Sequence, residues 1–158
     1  MIKHCRITGL MAAALAMAAG GFAAGNPIYN ETADAHQQIV AAIAQAAQSG
    51  KNVVLDFGAN WCLDCHVLDA RMRSPELAQL VERNYVVVHV DVGLYSRNLD
   101  LAQKYGIPLK KGIPALAVLD SHGKLLFSQD QGQFEDARDL GADSFKQFFE
   151  RWRPKASN

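Results

Sequence analysis

The chain has 158 residues, 49% of them hydrophobic, with 16 Lys and Arg against 16 Asp and Glu. That length suits one domain around one core. The even charge balance, without a basic block anywhere, argues against a nucleic-acid partner.

The first residues carry Lys3 and Arg6, no acidic side chain, and then an apolar run of small residues, MAAALAMAAGGFAAG. This is the pattern of a secretory signal peptide. Gly21 and Ala23, or Ala23 and Gly25, suit the recognition positions of a signal peptidase, so residues 1–24 are expected to be removed, with residues 25–158 as a single domain. The run is shorter than the roughly 20 residues of a spanning helix and rich in Ala and Gly rather than Leu, which favours cleavage over a retained anchor. Cys5 would leave with the leader. The remaining roughly 134 residues hold 14 basic and 16 acidic side chains, since Lys3 and Arg6 go with the leader, for a net charge of −2.

Residues 32–49 place Ile39, Ile43 and Ala46 at helical spacing, with Gly50 as a stop. NVVLDFGA, residues 52–59, is mostly apolar and predicts a buried strand. Residues 62–72 suit a helix with Cys62 in its first turn and Val67, Leu68 and Met72 on the inner face. Ser74-Pro75 interrupts it, and a second helical stretch over residues 75–84 has Pro75 at the favoured first position. Residues 85–93 form a second strand, and residues 98–106 a helix ending in Gly106. Residues 114–120 and 124–128 are strands joined by Ser121, His122 and Gly123, an antiparallel hairpin. Residues 144–152 close the chain as an amphipathic helix whose inner stripe is Phe145, Phe148, Phe149 and Trp152. The order predicts an α/β fold, a central mixed β-sheet flanked by helices on both faces, in which a parallel crossover pair is followed by a hairpin.

Beyond the leader the chain keeps only Cys62 and Cys65. Structural disulfides of exported proteins usually close long loops, and one that closes so small a loop hardly restricts the unfolded chain. The pair therefore reads as a site. With Cys62 at a helix N-terminus, unpaired backbone N–H groups and the positive end of the dipole favour thiolate. Two intervening residues return the second sulfur to the same turn. Cys62 is then the attacking sulfur and Cys65 the resolving one, acting through a mixed disulfide with a partner protein. Asp56 interrupts the apolar strand six residues before Cys62, where a charge is costly to bury. A carboxyl withdrawn from water favours its protonated form, which suits it to take and return a proton as Cys65 reacts. Ile113-Pro114 either ends a loop or forms a cis peptide; spacing leaves both readings open.

The string DFGANWCLDCH, followed by KYGIPLKKGIPALAVLD, resembles thioredoxin, and most of all the exported thioredoxin-like domains of bacterial thiol–disulfide interchange. The resemblance covers about residues 50–128. It implies a thioredoxin fold, a buried proton-transfer Asp56, a cis Pro114 facing the sulfurs, Trp61 beside the active site, and Ile113 offering its backbone to an extended substrate segment. The departures are informative. Leu63-Asp64 replaces the family's Gly-Pro between the cysteines, and a carboxylate there should oppose thiolate formation and make the disulfide harder to reduce. Asn60 replaces an acidic residue common before the Trp. The loop Pro108, Leu109, Lys110, Lys111 is longer than thioredoxin's and reshapes the rim.

Two rival chemistries share the motif. Cys62-Leu63-Asp64-Cys65-His66 also satisfies the C-x-x-C-H attachment pattern of c-type haem, with Met72, His36, His89 or His122 as the second axial ligand. Cys62, Cys65 and His66 could instead hold a soft metal such as copper, although structural zinc would need a fourth ligand. Neither explains Asp56 or Ile113-Pro114. The expectation is a periplasmic protein-disulfide oxidoreductase without a cofactor, acting as a reductase. Its partners would be protein disulfides and an inner-membrane thiol electron donor, and a monomer is the default.

Overall fold

The computed structural model describes residues 27–155, so the expected leader, Cys5 and the cleavage site lie outside the described residues. Four strands pair in the order β2-β1-β3-β4. β1 (Asn52–Gly58) is central and buried along its whole length. It runs parallel to β2 (Tyr85–Asp91) and antiparallel to β3 (Ala115–Leu119), which pairs antiparallel with β4 (Leu125–Ser128). This is the mixed sheet that the pattern predicts.

The continuous apolar character of β1 follows from cover on both faces. Val53, Leu55 and Phe57 pack against Ile39, Ala42 and Ala46 of α1 (Ala35–Ser49) and Leu101 of α4 (Leu99–Lys104). Val54 points the other way, towards α2 (Leu63–Met72), α3 (Ala78–Asn84) and α5 (Ala142–Arg151), which bring Leu68, Val81, Phe145 and Phe149. Alternation along a strand therefore sends Asp56 and Gly58 to the same side as Val54.

Several boundaries differ from the sequence pattern. α1 starts at Ala35 because Asp34 caps it, accepting the N–H of Gln37, and Gly50 ends it at φ 66°. α3 does not begin at Pro75. Residues 75–77 form turns, with the Ser74 carbonyl accepting from Leu77 and Ala78, and helix proper begins at Ala78. β2 stops at Asp91 rather than residue 93, and α4 covers only Leu99–Lys104. The loop at residues 108–111 contains a short 3-10 turn, Leu109–Lys111. The closing helix starts at Ala142, with Trp152 as its C-cap. The hairpin turn is tied by Asp120, whose carboxylate accepts the N–H groups of His122 and Lys124.

α5 is fastened to the sheet end by two polar contacts. The Tyr85 hydroxyl donates to the Phe149 carbonyl at 2.6 Å, and the Asn52 amide donates to the Trp152 carbonyl at 2.8 Å. Around them, Phe127, Phe134, Phe148 and Phe149 meet edge-on, each such pair adding about 0.5–1.5 kcal/mol beyond area burial.

Candidate active site

Cys62 is the N-cap of α2, one position before the first turn expected for it. Its Sγ accepts the N–H of Cys65 at 3.1 Å, taking the place of a capping oxygen. The two cysteines are joined in a disulfide, with Cα atoms 5.3 Å apart. Cys62 retains 5% exposure and Cys65 none, so a partner thiol or disulfide can reach only the outer sulfur. The helix end supplies N–H groups and positive potential there.

Opposite Cys62 stands the start of β3. The Ile113–Pro114 peptide is cis, and the Ile113 carbonyl oxygen lies 3.4 Å from the Cys62 Sγ. Gln129, fully buried, holds this segment from beneath: its Oε1 accepts the Leu116 N–H at 3.1 Å and its Nε2 donates to the Pro114 carbonyl at 3.3 Å. Trp61 lies on the rim, 51% exposed, with its ring N–H donating to the Gly93 carbonyl at 2.9 Å. Leu63, Leu94 and Tyr95 are exposed apolar side chains, and Tyr95 meets the Trp61 ring. The longer loop contributes Leu109, Lys110 and Lys111 to a neighbouring groove of about 610 Å³ that Tyr95 and Leu99 complete.

Asp56 is fully buried. Its Oδ2 accepts the Tyr29 hydroxyl at 2.8 Å and shares a hydrogen bond with His89 Nδ1 at 2.9 Å, while Oδ1 has no hydrogen-bond partner. His89 is the residue opposite Asp56 in the β1–β2 register, so both side chains emerge on one face. Gly58, two residues on, makes the room. A Cβ there would sit 2.1 Å from the Tyr29 hydroxyl oxygen and 2.9 Å from the Cys65 Sγ. Burial, and after it the charge of Asp56, push the Tyr29 phenol far above its ordinary range, so it stays neutral.

Tyr29, Gly58 and Gln129 are not among the candidates from sequence, and His89 is named there only as a possible haem ligand. Asn60 was noted only as a departure. It fixes Tyr29 from both sides, its Oδ1 accepting the Tyr29 N–H at 3.0 Å and its Nδ2 donating to the Tyr29 carbonyl at 2.9 Å.

The structure adds a partner for Asp64 that the motif does not show. Its Oδ1 accepts both the backbone N–H and the side-chain Nε of Arg138, at 2.9 and 3.0 Å. A carboxylate held by a guanidinium exerts a much weaker field on the sulfurs than the lone charge inferred from the motif. The hydrogen bond from Arg138 to Asp64, and the charge of that carboxylate, hold the guanidinium above its usual range. His66 engages the Asn60 carbonyl through Nε2 at 2.7 Å, and Met72 is packed into the α2 face of the core. Among the described residues no group of three or more His, Cys, Asp or Glu side chains is arranged to hold a metal ion.

A family model described as thioredoxin-like matches residues 34–121. Thiol:disulfide interchange protein DsbD 1 of Pseudomonas aeruginosa is 34% identical over 55 residues, which are 35% of this chain and only 9% of that protein. The crystal structure of a disulphide isomerase from Xylella fastidiosa Temecula1 is similar at 39% identity and a TM-score of 0.77, over 81% of this chain and 98% of that one. The oxidised C-terminal domain of DsbD from Neisseria meningitidis is similar at 28% identity and a TM-score of 0.53, over 77% and 97% of the two chains. Because the family match spans more than half of the 158 residues and takes in Cys62 and Cys65, the protein belongs to the thioredoxin-like family and is a protein-disulfide oxidoreductase.

Proposed function

We propose that the protein works in the periplasm as a reductase of protein disulfides, with Cys62 as nucleophile and Cys65 as the resolving thiol. The carrying observation is the asymmetry of the pair: one sulfur at a helix N-cap within reach of a partner, the other sealed beneath it. The Cys62 thiolate attacks a client disulfide, forming a Cys62–client mixed disulfide and releasing one client thiolate. Cys65 then attacks the Cys62 sulfur. The Cys62–Cys65 bond forms, the mixed disulfide breaks, and the second client sulfur leaves reduced. Asp56 takes up the proton that Cys65 gives up. Trp61 and the Ile113-Pro114 backbone position the client segment beside Cys62, aided by the exposed apolar rim.

Export rests on the leader pattern of residues 1–24, removed to leave a single domain; no described helix is long and apolar enough to cross a membrane. A reductase must be recharged. This reading calls for an inner-membrane thiol donor as the electron source, and the likeness to a thiol:disulfide interchange protein supports exchange with protein thiols. The reductase direction rests on Asp64 between the cysteines, with its field tempered by Arg138. The haem and soft-metal alternatives gain nothing from the geometry, since His66 is held by Asn60 and Met72 is in the core.

The test is twofold. Cys62→Ser should abolish exchange and Cys65→Ser should accumulate mixed disulfides with clients; trapping by neither would sink the assignment of roles. The equilibrium potential against glutathione or dithiothreitol decides direction. A value near that of thioredoxin, roughly −270 mV, supports a reductase, and one near −120 mV makes the protein a disulfide donor.

A further inference from the structure

The Tyr29 hydroxyl stands close to both Asp56 and Cys65. The point above Gly58 where a Cβ would stand is 2.1 Å from the Tyr29 hydroxyl oxygen and 2.9 Å from the Cys65 Sγ. Those two atoms are therefore separated by no more than the sum of these distances. On its other side the same hydroxyl donates to Asp56 Oδ2 at 2.8 Å. We propose that Tyr29 is the proton bridge between the Cys65 sulfur and Asp56, and that His89 is the outlet from Asp56 to solvent. This rests on the reading of Cys65 as the resolving thiol and Asp56 as its proton acceptor.

The chemistry suits a phenol, whose oxygen both donates and accepts. During resolution the Cys65 thiol passes its proton to the Tyr29 oxygen while Tyr29 hands its own to Asp56. The Cys65 thiolate then attacks Cys62, the Cys62–client bond breaks as the Cys62–Cys65 bond forms, and the client leaves as a thiolate that water protonates. The dithiol loses two electrons and the client disulfide gains them. When a donor thiol reduces the protein, the proton travels back to Cys65 by the same route. Because burial and the Asp56 charge keep the phenol neutral, it relays a proton without lingering as phenolate.

The placement is built rather than incidental. Asn60 pins the Tyr29 backbone on both sides, and Glu31 of the same segment takes bonds from Asn60 and Arg97. The outlet is equally defined: His89 Nδ1 is 2.9 Å from Asp56 Oδ2, its side chain is 26% exposed, and its Nε2 is 4.0 Å from Asp69 Oδ1. Titratable and charged groups turned towards this row are Cys65 and Asp69 of α2, with Arg73 bound to Asp69, and His89 and Asp91 of β2, with Arg97 bound to Asp91. β3 sets only Leu116 opposite Asp56.

The experiment is single-turnover oxidation of the reduced protein by excess oxidised glutathione, followed by tryptophan fluorescence between about pH 5 and 9. Its unimolecular plateau reports Cys65 resolving the Cys62–glutathione bond. Tyr29→Phe keeps the ring and removes the bridge. It should lower the plateau at least about tenfold at neutral pH and make the rate climb with hydroxide, while alkylation of Cys62 by iodoacetamide is unchanged. His89→Gln removes the outlet and should also lower the plateau, by a smaller factor than Tyr29→Phe does. 3-Fluorotyrosine at position 29 preserves packing and should move the profile to lower pH, which decides the matter if Tyr29→Phe folds poorly. A wild-type profile for Tyr29→Phe or for the fluorinated protein overturns the bridge. If Asp56→Asn alters the profile when those do not, the bridge fails and Asp56 stands. If Asp56→Asn is also without effect, the reading of Asp56 falls with it.

Discussion

The sheet buries a tyrosine at each end, and the partners of the two hydroxyls separate the packing end from the reactive end. Tyr85 donates to the Phe149 carbonyl at 2.6 Å, and its ring meets the Phe149 ring edge-on at 5.5 Å. A backbone carbonyl cannot titrate, so that bond only fastens α5. Tyr29 donates instead to a fully buried carboxylate that keeps one oxygen without a partner. A buried acceptor left unsatisfied costs about 1–3 kcal/mol. The α5 end is lined instead by Phe134, Phe145 and Phe149. The difference teaches that stability is concentrated at one end of this fold and spent at the other.

Deleting a large buried side chain at the packing end should separate the two ends most sharply. Phe149→Ala should destabilise the protein by about 3–5 kcal/mol, the range for emptying a buried aromatic site. The Cys62–Cys65 potential of the molecules that remain folded should not move. Denaturant melts paired with redox titration check this, and a shifted potential would show that the ends are coupled. Gly58→Ala is the complementary change. Its methyl collides with the Tyr29 phenol and the Cys65 sulfur, so it should cost about 1–3 kcal/mol and also slow resolution. A variant with normal resolution kinetics would mean that the crowding above Gly58 is irrelevant to the chemistry.

What the sequence discloses tracks the range of the interaction. Cys62 and Cys65 stand three apart on one turn, and Asp56 breaks an apolar strand, so each is visible within its own segment. The hairpin and the aromatic stripe of α5 follow from local periodicity in the same way. Tyr29 belongs to an aperiodic stretch before α1, and its position depends on Asn60, 31 residues away. Asp64 meets Arg138 across 74 residues, so the motif shows a carboxylate beside the sulfurs but not the cation that holds it. His89 did leave a trace, a polar residue inside a second apolar strand. Only the parallel register places it opposite Asp56. Pro75 misleads because its fixed φ serves a turn as well as a helix start.

Alkaline unfolding tests the two tyrosines against each other. Both phenols are pushed above the ordinary value of 10.0, chiefly by burial. Below that pH folded and unfolded chains hold the same phenolic protons, and the stability is fully present. As pH rises past 10.0 the unfolded chain releases them first, so stability falls by about 1.4 kcal/mol per pH unit for each tyrosine, until the folded phenol itself ionises. Tyr85→Phe and Tyr29→Phe should each remove one share of that slope in urea melts at successive pH values. Tyr85→Phe should also cost about 1 kcal/mol at neutral pH through its lost hydrogen bond. Unchanged slopes in both variants would mean that neither phenol is shielded from water.

The smallest effect probes the acidic residue between the cysteines. Arg138 is 59% exposed and Asp64 only 11%, so the guanidinium can be removed with little loss of packing. Arg138→Gln leaves the carboxylate uncompensated in the first turn of α2, where it opposes thiolate at Cys62. A less favoured thiolate weakens the reduced form, and the potential should become more negative by about 10–20 mV, within the 0–1 kcal/mol typical of an exposed ion pair. Asp64→Asn should move it the other way, and added salt should shrink both shifts. If the two substitutions leave the potential unchanged, the Leu63-Asp64 insert does not set the redox poise. The poise would then lie with the helix end and the Asp56 row.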